Sequence, residues 1–366
     1  MRYSLSLSLL AGWLVVAISL NPTVSHAAEL FGLKSGTVEL KSAGPLAFGP
    51  SGVLFVGDVK AAKIYAINTD DKPTDAAPEY SVEDLSGKVA KAYGVTNASI
   101  VDLAVNPETK HAFVSVAADG TFGVAKITPD GKVMALNLDK IPTASVNLPN
   151  PPEDRAGQGR RRRNPRDSSI TDLAFRGGRV LVAGLAAGDS PSSVREFDFP
   201  FNEASAGFRV EIFHAAHGKS EDYAPIQTFV PFNIGGEASL LAGYTCTPLV
   251  KIPITKLESE AKVTGTTVAE LGNRNRPLDM IVYNKDGKDY VLMANSARGV
   301  MKISTDALES NTGLTERVSG GGTAGLSYET IGAWEGIVQL DKLTDTQALV
   351  VAQADSSSIL KSVELP

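Results

Sequence analysis

The chain has 366 residues, with 35 Lys and Arg against 41 Asp and Glu and a formal charge of −6. An acidic, solvated surface argues against general nucleic-acid binding. With 43% hydrophobic residues, 21% charged residues and one cysteine, the composition also excludes a disordered tail, a disulfide scaffold and a collagen.

Residues 1–27 carry Arg2, an apolar run from Leu5 to Leu20 and the polar stretch Asn21 to Ser25 ahead of Ala27 and Ala28. This order predicts a secretory signal peptide cleaved near Ala27, leaving one domain over 28–366 in the periplasm or outside the cell. The apolar run is near the short limit for a membrane span, and no later stretch is apolar enough to cross a bilayer. Cys246 then has no partner within the chain, so no internal disulfide is expected.

Paired β-type runs with turns between them follow in chain order: Pro45 to Phe48 with Val53 to Gly57, Ser99 to Val105 with His111 to Val116, and Ser169 to Phe175 with Arg179 to Gly184. Ile226 to Val230 with Ala238 to Gly243, Arg276 to Val282 with Asp289 to Ala294, and Ala333 to Val338 with Gln347 to Ala352 continue the series, each pair trailed by a third run. Superposing the first runs aligns Pro45, Asp102, Asp172, Thr228, Asp279 and Glu335, at spacings of 57, 70, 56, 51 and 56 residues. Six units of about 56 residues predict an all-β fold, a six-bladed β-propeller of four-stranded blades. The last unit runs out of chain before a fourth strand. Ser35 to Lys41 (SGTVELK) is expected to complete it and close the ring by an N-terminal strand, hiding both sheet edges.

Two segments break the strand pattern. Val82 to Tyr93 places Val82, Leu85, Val89 and Tyr93 at helical spacing and predicts a short inserted amphipathic helix. Asn150 to Asp167, rich in Pro, Gly and Arg, reads as a mobile loop. Arg155, Arg160 to Arg163 and Arg166 form a basic patch there, a solvated charge run or a dock for an anionic partner.

Connections from the outer strand of one blade to the inner strand of the next share a face, and the long insertions Asp70 to Ala98, Asn147 to Ser168, His214 to Pro225 and Asp306 to Ile331 are expected to crowd it. Asp102, Asp172, Asp279 and Glu335 stand on inner strands, where they either converge on the axis around Ca²⁺ or another divalent cation, or bond backbone individually. His214, His217 and Glu221 in FHAAHGKSEDY have a spacing that brings two imidazoles and a carboxylate together as a ligand or metal site, with Cys246 in GYTCTP as a possible soft metal ligand. Asn295 and Arg298 in MANSARG are further ligand-binding candidates. His111 opens a strand and reads as a surface or turn residue. No GxSxG elbow and no CxxCH haem motif is present.

The units Pro45 to Asp58, Ser99 to Ala117, Ser169 to Leu185 and Arg276 to Ser304 resemble NHL-type and gluconolactonase-type six-bladed propellers. HAAHGKSEDYAPIQTFVPF, LLAGYTCTPLVKIPI and NRNRPLDMIVYNKDGKDYVLMANSARGVMKIST are similar to a set of secreted bacterial propellers without an established activity. The gluconolactonase resemblance implies a divalent cation in the channel, held by acids that map to Asp102, Asp172, Asp279 and Glu335. The leading expectation is a monomeric module that binds a protein partner or small molecule on its loop-rich face. The alternative is a metal-dependent enzyme, a lactonase-like hydrolase or an oxidoreductase.

Overall fold

Short β-branched and aromatic runs, cut by turns that need left-handed backbone, leave the chain little choice but antiparallel meanders. Val53–Asp58 and Lys63–Asn68, VLFVGD and KIYAIN, pair in register around a turn in which Ala62 takes φ 50°. The computed structural model describes residues 30–366 apart from 156–163, 203–206, 247, 255–261 and 355–356. The expected leader, 1–27, and Arg160 to Arg163 lie outside the described residues.

Sheet A runs Leu46–Phe48, Val53–Asp58, Lys63–Asn68, Ile141–Asn147 and Lys34–Gly36 from inside to outside. Sheet B is Ala98–Val105, Ala112–Ala118, Thr121–Ile127 and Val133–Ala135. Sheet C holds two meanders. The first is Asp172–Arg176, Arg179–Leu185, Ser192–Asp198 and Phe208–His214; the second is Ile226–Ile234, Glu237–Tyr244, Pro248–Pro253 and Lys262–Leu271. Their outer strands are joined by a parallel pairing of Arg209–Ile212 with Lys262–Gly265. Sheet D is Pro277–Lys285, Lys288–Asn295, Gly299–Ser304 and Glu329–Thr330, and sheet E is Ile337–Lys342, Gln347–Ala354, Ser357–Glu364 and Ser81–Val82.

The result is all-β and propeller-like. Innermost strands pack in a closed cycle: A against the first half of C, that against the second half, then D, E, B and A again. Apolar wedges fill each junction, for example Leu54 and Val56 with Ala104 and Phe113 between A and B, and Leu292 and Val300 with Leu340 and Val350 between D and E. Buried wedges of this kind, with dispersion contacts on both sides, carry most of the stability.

Chain order is not ring order. Sheet B sits between E and A, so the chain leaves A, lends Ser81–Val82 to E, builds B, and returns to finish A with Ile141–Asn147. This corrects the expected closure by Ser35 to Lys41: Lys34–Gly36 pairs with Ile141–Thr143 at the outside of sheet A, and Val38 buries in the wedge between A and B. The edge of sheet E is already taken by Val82, paired with Leu360 and packed with Leu85 and Val89. The helix spans Leu85–Tyr93, with Leu85, Val89 and Ala90 buried, and ends at Gly94 with φ 67°. No described helix is long and apolar enough to cross a membrane.

Candidate functional site

The inner strands surround an axial channel with two mouths, of about 630 and 790 Å³, that share Asp102, Asp172 and Asp279 at the waist. Asp102 accepts the Leu46 amide at 2.6 Å, Asp172 that of Phe229 at 2.7 Å, and Asp279 that of Leu340 at 2.8 Å. Each bond reaches the next inner strand in the same rotational sense. Asp341, two residues beyond the equivalent position in its strand, continues the pattern by accepting the Val105 amide at 2.7 Å. Glu335 is exposed, in the turn before Ile337–Lys342, and is not one of the channel acids. A β-bulge just before Asp102, Thr228 and Asp279 recurs just before Gln339, so the equivalent position in the sixth inner strand is Gln339, four residues beyond Glu335.

These carboxylates therefore act as staples between sheets. Burial pushes Asp172 up to about 7 and Asp341 up to about 6, against the amide bonds that favour the charged form. Burial, then repulsion from the neighbouring axial acids, holds Asp102 and Asp279 well above the usual carboxylate range.

The histidine site is built at the end of Phe208–His214, where the chain turns back into Lys219–Glu221. The turn needs Gly218 at φ 66°, and a side chain there would press on Arg317 at 2.9 Å. Glu221, almost fully buried, meets Nδ1 of His214 at 2.9 Å with one oxygen and Nδ1 of His217 at 2.7 Å with the other. The two rings lie 3.9 Å apart between centroids. His214 is buried and His217 is 46% exposed. Burial would raise the Glu221 carboxyl, but hydrogen bonds from Tyr223, His214 and His217 hold it down at about 2. Burial lowers His214 despite its bond to Glu221.

Glu270 closes the turn from the neighbouring strand. Its Oε2 accepts the Ala216 amide at 3.1 Å, and burial pushes the group up to about 7. Among the described residues, His214 Nε2 and Glu270 Oε1 are buried without a hydrogen-bond partner. Sequence reading missed Glu270 because it comes from another meander of the same sheet.

Beside His217 opens a cavity of about 440 Å³, lined also by Cys246, Asn273, Arg274, Arg317 and Gly321. Its walls are stitched together by Val318 N–H donating to the Ala215 carbonyl at 2.9 Å and Cys246 N–H donating to that of Asn275 at 3.0 Å. Cys246 sits at φ 64° in the turn after Glu237–Tyr244. Asn295 and Arg298 are not on the lining; they brace it. Asn295 donates to Asn275 at 2.9 Å, and Arg298 donates to the Leu271 and Asn273 carbonyls at 2.9 and 3.1 Å.

His111 is fully buried instead of lying at the surface, bonded to Asp71 at 2.8 Å. Asp71 also accepts from Asn106, which follows the inner strand of sheet B, so the Asp70 to Ala98 insertion starts on the face opposite the histidine site.

No family model and no curated protein matches the chain. Among solved structures, the PQQ-bound aldose sugar dehydrogenase of Streptomyces coelicolor is 11% identical over 90% of this chain and 96% of that one, at a TM-score of 0.33. The apo-form soluble aldose sugar dehydrogenase of Escherichia coli is 11% identical over 91% and 100%, at 0.34. The C-terminal WD40 domain of Sif2 is 10% identical over 91% and 99%, at 0.35. Likenesses this distant decide nothing about activity.

Proposed function

We propose that the chain is a secreted, six-bladed, monomeric β-propeller that captures a small anionic ligand in the cavity beside His217. The closed cycle of inner-strand packing supports the blade count, and the apolar leader at residues 1–27 supports export. One observation carries the binding assignment. Among the described residues, Arg274 and Arg317 line a space of small-molecule size that no carboxylate lines, and neither has an ion-pair partner. Guanidinium groups presented this way suit a carboxylate or phosphate, with the His217 ring and Asn273 as orienting groups. A cation-dependent enzyme of the channel needs free axial carboxylates. The oxygens of Asp102, Asp172 and Asp279 accept amide bonds, which favours capture over channel catalysis.

Calorimetry of the purified protein against a panel of small carboxylates and phosphate esters tests this. Binding is expected at one site, weakened about tenfold or more, ~1.4 kcal/mol, by Arg274→Ala or Arg317→Ala. Unchanged affinity in both variants refutes the assignment.

A further inference from the structure

We propose that His214, His217 and Glu221 form a three-ligand site for one borderline divalent transition-metal ion, zinc being the type. The inference goes beyond anion capture, because an ion can bind this cluster with the cavity empty and the cavity can bind its anion without one.

The donor set comes first. Two imidazoles and a carboxylate are the ligands of open, three-residue zinc sites, and they lack the oxygen count that calcium requires. One ligand atom from each of the three lies within 4.8 Å of the others. The Glu221 oxygens stand 2.9 and 2.7 Å from the two Nδ1 atoms. Around a tetrahedral ion with bonds of about 2.0 Å, ligand atoms are about 3.3 Å apart, so each imidazole–Glu221 contact need lengthen by only a few tenths of an ångström as the ion displaces the shared protons. The nearest cation, Lys219 at 3.5 Å from Glu221, is an exposed side chain free to swing away.

Burial supplies a second, independent line. His214 Nε2, and Glu270 Oε1 on the neighbouring strand that closes the turn, are buried without hydrogen-bond partners among the described residues. Stranded buried polar atoms are costly, and an imidazole that ligates through Nδ1 carries its proton on Nε2, where an outer-shell acceptor such as an ordered water would meet it. The half-exposed face of His217 gives the entry path, and it opens on the cavity that Cys246 and Arg317 share. His217 lines that cavity, so an anion held there would stand near the cluster.

The test uses the full-length purified protein stripped with a chelator, then titrated with Zn²⁺ by calorimetry and with Co²⁺ by absorption. One ion per chain is expected, with weak d–d bands of a nitrogen and oxygen environment. Affinity should fall about 100-fold or more in His217→Ala and Glu221→Gln, the loss a ligand should at least match when outer-shell groups alone cost 10–100-fold. His217 is half-exposed, so its variant folds even if changes at the buried members do not. No binding by folded wild-type protein, or undiminished affinity in His217→Ala, overturns the site. An intense thiolate-to-cobalt band overturns the three-ligand assignment by making Cys246 a fourth ligand. Anion calorimetry on the stripped protein is a separate readout, so failure of the metal site and failure of anion capture are told apart.

Discussion

Two carboxylate–imidazole clusters stand on opposite faces, and their difference separates a staple from a site. Asp71, with a fully buried side chain, accepts from His111 at 2.8 Å, from Asn106 at 2.9 Å, and from Thr109 and Lys126. The other ring nitrogen of His111 meets Thr74 at 3.3 Å. Every strong group is used, and the outcome is a loop pinned to sheet B. Glu221 holds two imidazoles as tightly, yet one ring is half-exposed, the other carries an unpartnered nitrogen, and a cavity adjoins. Saturation of donors and acceptors, not residue type, distinguishes them.

Breaking each cluster should show the contrast most strongly in stability. Asp71→Ala leaves Lys126 and His111 without their anion and should cost on the order of 3 kcal/mol in urea unfolding. His217→Ala, at a half-exposed ring, should cost under about 1 kcal/mol. If the two losses are equal, the distinction fails.

Metal then inverts the order. At a hundredfold excess over its dissociation constant, Zn²⁺ should stabilise wild-type protein by about 2.7 kcal/mol, and should do so equally in His111→Gln but not in His217→Ala. Thermal midpoints with and without zinc decide it.

Acid titration should split the staples by sign. Asp71 is held below the usual carboxylate range: burial alone would raise it, but hydrogen bonds from Lys126, Thr109 and His111 prevail. Its stabilisation is present above the unfolded value near 4 and is lost as pH falls through the lower folded value. The axial acids run the other way. Protonated in the folded state, they stabilise fully below about pH 4, and that contribution is lost as pH rises through the folded values, about 7 for Asp172 and about 6 for Asp341. Urea midpoints between pH 4 and 7 should therefore fall less steeply in Asp172→Asn than in wild type. A steeper fall contradicts the burial argument.

The smallest effect belongs to the brace. Arg298→Ala removes two bonds to carbonyls of the segment beside the cavity and should cost about 1 kcal/mol. It should also raise amide exchange at Asn273 and Arg274. Unchanged exchange there would mean that the segment holds itself.

Much of the histidine site was legible, because His214, His217 and Glu221 are separated by a single turn and local spacing brings them together. Glu270 and the arginines were not, since they arrive from other meanders and nothing in their own segments marks the meeting. The axial acids were half legible. Asp102, Asp172 and Asp279 repeat in register, but in the last unit the inner strand starts only at Ile337, so the equivalent position is Gln339 instead of Glu335 and the acid that bonds the next inner strand is Asp341.

Composition, strand periodicity and glycine turns alone determined an all-β chain of repeated antiparallel meanders with one short helix, because those signals are local and each meander is cut from contiguous sequence. Which strand closes which sheet was decided only by tertiary packing. SGTVELK and the segment around Val82 are equally able to pair as strands, and the choice fell to where Val38 and Val82 find a wedge to bury in.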